Sequence, residues 1–170
     1  MCIDFCDKPT AQSISGKMTL RITCDDEIQE LYLDGEQKIQ DVNFQRYRRE
    51  STVETSDKLT VIAVKCVNTG GGAGMLASLE NEMGETVFYT DTNWKCSTVL
   101  EEDWQLPMFQ ATTDNWQNAI KTGDHSQKIG QISSDADWIW AVGKENTVYC
   151  RGADIVAGKF LISSSFNVFE

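Results

Sequence analysis

Long apolar runs are missing from this 170-residue chain. No stretch reaches the roughly 18 consecutive apolar residues that a membrane-spanning helix needs, so insertion into a bilayer is not expected. Histidine is down to one residue, His125, and no CxxC pair occurs. A zinc site built from imidazoles and paired thiolates is therefore not expected. Basic residues are in deficit: 15 Lys and Arg stand against 26 Asp and Glu, for a net charge of -11. A phosphate backbone calls for a basic footprint, so a nucleic-acid partner is not expected, and neither is docking on anionic lipid. Proline is limited to Pro9 and Pro107. With no linker and no repeat, residues 1–170 read as a single domain. Asn-x-Ser/Thr glycosylation sites are absent.

Catalytic signatures are missing too. No nucleophile elbow surrounds any serine. His125 stands in the polar stretch Gly123-Asp-His-Ser126, with no second histidine to share a metal. Acidic residues are plentiful, but nothing nominates a pair for glycoside hydrolysis. The glycine-rich stretch Asn68-Thr-Gly-Gly-Gly-Ala-Gly74 follows an apolar segment, as a phosphate-binding loop would. It lacks Gly-Lys-Ser/Thr, however, and Met75 takes the place of the third glycine of a dinucleotide fingerprint. It reads as a structural turn, and the chain is expected not to be an enzyme.

What is present is period-two alternation. Met18, Leu20, Ile22 and Cys24 alternate with Thr19, Arg21 and Thr23, which predicts a strand with one wet face. Ile28 to Leu33 reads as a second strand ending in an Asp34-Gly35 turn. Residues 45–57, with Arg46, Arg48 and Arg49, read as an exposed strand or a long loop. Leu59 to Val67 is apolar on both faces and should be a central strand. Met75, Ala77 and Leu79 alternate again before the turn Asn81-Glu-Met-Gly84, and Thr86 to Thr90 returns. Residues 100–120 look irregular, with a short helical turn capped by Thr113 or Asp114 that stacks Trp116 on Ile120. Trp138 to Val142, Thr147 to Arg151 and Lys159 to Val168 read as closing strands. Many short strands, long loops and little helix point to an all-β fold, a single antiparallel β-sandwich of jelly-roll type.

Six cysteines, at 2, 6, 24, 66, 96 and 150, are an even count spread over strand-like segments. They suggest disulfides and an oxidising compartment. The expected location is extracellular, with Met1 read as an initiator placed before a secreted domain. Among five tryptophans, Trp94, Trp138 and Trp140 fall in strand-like stretches and are expected in the core. Trp138 and Trp140 should share one strand face. Trp104, in Glu101-Glu-Asp-Trp104, is the best candidate for an exposed ring that stacks on a sugar or on a protein partner.

Several segments together resemble the galactose-binding-like jelly rolls found as non-catalytic modules of glycoside hydrolases and in invertebrate extracellular proteins. The resemblance runs through Cys24-Asp-Asp-Glu27 and Leu31-Tyr-Leu-Asp-Gly35, then Val61 to Asn68 and Gly72 to Ala77. It continues through Thr90-Asp91, Trp94-Lys95, Asp114-Asn-Trp116, Trp138-Ile-Trp140 and Val148-Tyr149. It covers about residues 17–151. Asp34-Gly35 stands where the family usually has Asn-Gly, and cysteines stand at packing positions. Cys66 and Cys96 both occupy such positions, at the ends of strand-like segments. They are expected to pair, leaving Cys24 and Cys150 to pair with each other or with Cys2 and Cys6.

The resemblance implies a recognition module whose ligand is an extracellular carbohydrate, as in a lectin. The alternative is a structural or adhesive module that binds extracellular protein. The ligand end is expected where Asp25 and Asp26 face the loop 68–74. Adjacent carboxylates there suit a calcium ion or sugar hydroxyls, and Asn68 supplies both donor and acceptor. Asp25, Asp26, Asn68 and Trp104 are the expected ligand residues, with Asp25 and Asp26 as metal ligands.

Overall fold

The computed structural model describes residues 16–38, 49–123, 128–143 and 145–155. Cys2, Cys6, His125 and the expected strand Lys159 to Val168 lie outside the described residues, as does the arginine cluster except for Arg49.

The structure is an all-β sandwich of two antiparallel sheets, with no helix among the described residues. In the first sheet, β1 (Lys17–Asp25) lies between β4 (Ser51–Ser56) and β6 (Gly74–Asn81). Beyond β6 come β11 (Ile139–Trp140) and β10 (Ile120–Lys121), and β7 (Thr86–Tyr89) also pairs with β6. The second sheet has β5 (Ile62–Val67) and β12 (Thr147–Gly152) at its centre. On one side of them lie β2 (Glu27–Leu33) and β3 (Glu36–Gln37); on the other, β8 (Lys95–Ser97) and β9 (Gln117–Asn118).

The alternation read from the sequence decides which side chains enter the space between the sheets. Leu20 and Ile22 of β1 meet Ile62, Val64 and Val148 of the facing sheet in one buried cluster. Trp94 and Trp140 are part of it. Burying side chains of this size contributes about 1.5–3 kcal/mol each.

Two outer layers explain why β5 and β6 are buried on both faces. Across the outside of the second sheet, Val61, Ala63 and Tyr149 are covered by Trp104 and Trp116. Outside the first sheet, Leu76 is covered by Ile129, Ile132 and Trp138. Trp138 and Trp140 are thus both buried, as expected, but they enter different clusters rather than sharing a face.

Arg151 fastens the covering segment to the second sheet. The buried guanidinium donates to the carbonyls of Trp104, Leu106 and Phe109 and lies 5.3 Å from the Phe109 ring centroid. Burial pushes its pKa below the usual arginine value.

Trp104 is a correction. It is 3% exposed and packs edge-on against Tyr32 and Tyr149, with its face toward Trp116. Its acidic neighbours suggested solvent, but Asp103 adopts a φ of 60° and the chain turns the indole inward. The helical turn near Thr113 is also corrected. Trp116 N–H does close a turn on the Thr113 carbonyl, but the chain then enters β9 and β10, pairing with β8 and β11. Trp116 and Ile120 consequently do not stack as helix neighbours.

The disulfides differ from expectation as well. The bonds are Cys24–Cys66 and Cys96–Cys150. Strand β12 lies between β5 and β8, with Val148 opposite Cys66 and Cys150 opposite Cys96. Cys66 and Cys96 are therefore two strands apart, roughly 9–10 Å at the usual strand spacing. A disulfide requires Cα atoms within about 7 Å. Cys96 and Cys150 face each other at 4.1 Å between Cα atoms. Cys24 reaches across the sandwich to Cys66 at 6.2 Å. Two such bonds fit an oxidising setting.

Candidate binding site at the crossover end

Two of the chain's passages between the sheets lie side by side at one end of the sandwich. The chain leaves β1 and enters β2 at Asp26, and it leaves β5 and enters β6 through residues 68–73. Cys24 and Cys66 each lie two residues before a crossover, so their disulfide ties the sheets together directly beneath both.

The crossovers are joined side by side. Asp26 N–H donates to the Val67 carbonyl at 3.0 Å. The Asp26 carboxylate accepts the Thr69 N–H at 2.8 Å and the Thr69 hydroxyl. These bonds to Thr69 hold the Asp26 carboxyl below the usual aspartate range, against a smaller opposing effect of burial. Asp25 and the loop 68–74 are thus neighbours, with Asp25 opposite Gly74 in the β1–β6 register.

Asn68 is 7% exposed and anchors the second crossover. Its N–H donates to the Asn146 carbonyl at 2.7 Å, and its Oδ1 accepts Gly70 N–H at 3.2 Å. The Asn68 side-chain NH2 has no protein acceptor among the described residues. Gly71, at a φ of 88°, sits where a side chain would be strained, with open space where its Cβ would stand.

Beside this loop is a cleft of about 180 Å³, lined by Asn68, Gly71, Ala73, Lys121, Thr122 and the inner wall at Trp140. Trp140 is fully buried, and its Nε1 donates to the Glu145 carbonyl at 3.0 Å. Thr122 is held by a 2.8 Å bond from its N–H to the Trp138 carbonyl. The cleft therefore offers an amide donor, a hydroxyl, an ammonium group and close access to backbone.

Of the residues expected from sequence, Asn68 alone lines the cleft, while Asp26 holds the same loop through Thr69 without lining the cleft itself. Asp25 is buried at 5% exposure and does not line the cleft. Trp104 lies on the outer face of the second sheet and has no part in it. Lys121 and Thr122 were missed. They reach the site only because β10 pairs with β11, a contact with no local signal.

Calcium takes six to eight oxygen ligands. Among the described residues, no group of three or more His, Cys, Asp or Glu side chains could hold a metal. The Asp25–Asp26 pair, one member buried and the other bonded to Thr69, is a partial set at most.

No family model, no curated protein and no solved structure matches the chain. Among the described residues no helix is long and apolar enough to cross a membrane.

Proposed function

We propose that the protein is a non-catalytic recognition module of extracellular setting that binds carbohydrate at the crossover end, in the manner of a galactose-binding-like jelly roll. One observation carries this reading. The cleft between loop 68–73 and Lys121-Thr122 is small, lined by polar groups alongside Ala73, Ile120 and Trp140, and built on backbone fixed by hydrogen bonds and a disulfide. Its volume lies below the roughly 300–1,000 Å³ usual for drug-sized ligands and suits a single sugar ring. The Asn68 amide, the Thr122 hydroxyl and the Lys121 ammonium group, which also pairs with Asp137, match the hydroxyls of such a ring. Asp26 acts by holding Thr69, and so the loop, in place.

A glycan array followed by calorimetry tests the reading. Asn68→Ala and Thr122→Ala should each weaken saccharide binding by about tenfold, the scale of one or two lost hydrogen bonds, while melting stays cooperative. An empty array, or unchanged affinity in both folded variants, would overturn it. Adding calcium in the same cell tests the metal expectation at Asp25 and Asp26: heat lost in Asp26→Asn would establish a metal role there.

The second reading, an adhesive module for protein partners, is favoured by a different observation. Val99, Leu100 and Met108 on the covering segment are 47%, 61% and 80% exposed. An empty array combined with Leu100→Glu and Met108→Glu abolishing self-association or capture of extracellular protein would shift the assignment to that class.

A further inference from the structure

A second cleft, of about 310 Å³, opens on the outside of the first sheet. Leu76, Ile129, Ile132 and Trp138 give it an apolar floor. Its rim carries the hydroxyls of Ser133 and Ser134 and the ammonium groups of Lys121 and Lys128. Lys121 and Thr122 line this cleft and the crossover cleft alike. The two hollows therefore share a wall, the end of β10.

The charge of the second rim runs against that of the molecule. The chain carries -11 overall. Here two lysines meet one carboxylate, Asp137, which pairs with Lys121. Lys128 is exposed and has no carboxylate partner among the described residues. A lysine with no carboxylate partner among the described residues, set beside an apolar floor and hydroxyls, matches a ring with one apolar face and an anionic substituent. The rim is also built rather than loose. Asp137 N–H donates to the Thr90 carbonyl at 2.8 Å, and Ser133 N–H to Ser78 Oγ at 3.0 Å.

We propose that the two clefts are adjoining subsites of one elongated site for an anionic oligosaccharide, whose acidic group lies against Lys128 and Lys121. This rests on the saccharide reading above and adds length and charge to it. A ligand of two or more rings would run from Asn68 past Thr122 to Ser134, and a single neutral ring would fill only the first cleft.

The test is calorimetry with neutral, carboxylated and sulfated saccharides of one, two and four rings. The variants are Lys128→Glu and Ser134→Trp, both at exposed positions, with melting curves as the control for folding. Acidic tetrasaccharides should bind about tenfold or more tightly than neutral ones and than acidic monosaccharides, and added salt should weaken them. Lys128→Glu should erase the preference for acidic ligands and leave neutral monosaccharides unchanged. Ser134→Trp should remove the gain from length. The carboxylated and sulfated arms decide which acid the site takes. Neutral sugars binding as well as acidic ones, or no gain with length, overturns the elongated acidic site while leaving the saccharide reading intact. Binding of no saccharide at all overturns both.

Discussion

Gly152 is the position where one added methyl group would be felt most. It ends β12, and a Cβ built there would stand 2.6 Å from Phe88 Cε1 and from the indole of Trp94. Trp94 is 1% exposed, and the half-buried Phe88 lies against it. Phe88 and Trp94 are packed on each other at 5.6 Å between centroids, and the Trp94 Nε1 is fixed to the Tyr89 carbonyl. Gly152→Ala should therefore destabilise by overpacking, by roughly 1–3 kcal/mol, measured by urea unfolding. A variant as stable as the parent would show that β7 can move away from the core. Its neighbour Arg151 illustrates the opposite case, a side chain whose removal leaves carbonyls orphaned. Sequence reading cannot see that role, because an arginine in a strand looks like a solvated residue until the segment carrying Trp104, Leu106 and Phe109 folds over it.

At the scale of elements, the crossover loops are held by one titrating side chain. The folded-state pKa of Asp26 is lowered, chiefly by the Thr69 hydroxyl. The Asp26–Thr69 tie is thus fully present above the ordinary aspartate value of about 3.9. It is lost as pH falls through the lower folded value. The protection of Thr69, Gly70 and Gly71 against hydrogen exchange, relative to the intrinsic rate at each pH, should fall on acidification below about pH 4, and in Asp26→Asn at neutral pH, while β1 and β5 stay protected. Equal protection in the variant would mean that Asn68 alone holds the loop. The elements flanking this loop were legible because their signals are local. β1 alternates apolar and polar residues from Met18 to Cys24, although Thr23 is buried too, Asp34-Gly35 takes the positive φ angles of 50° and 84° that a tight hairpin needs, and the turn of Asn81 and Gly84 forms as read. β9 and β10 were not legible, because two-residue strands exist only through their partners. The site divided in the same way. Asp26 and Asn68 lie next to strand ends that the sequence marks, whereas Lys121 and Thr122 arrive by pairing across the chain.

For the whole molecule, the two disulfides have different duties despite similar loop lengths. Cys24–Cys66 spans 42 residues of sequence and joins the two sheets; Cys96–Cys150 spans 54 and joins neighbouring strands of one sheet. Loop-closure entropy assigns each roughly 4 kcal/mol of stabilisation through the unfolded chain, with about 2–4 typical in practice. Stability alone will therefore not tell them apart. Function should, because only Cys24–Cys66 lies beneath the crossovers that shape the cleft. Non-reducing peptide mapping should recover these pairs, and a peptide linking Cys66 to Cys96 would refute the register in which β12 separates β5 from β8. Replacing either pair by alanines should lower Tm by on the order of 10 °C. Breaking Cys24–Cys66 should also speed amide exchange across residues 68–73 and weaken the proposed saccharide binding at temperatures where the protein is still folded. Breaking Cys96–Cys150 should leave both unchanged, since β12 remains paired with β5 along its whole length. Equal effects of the two replacements on loop exchange would mean that the core, and not the disulfide, holds the crossover end together.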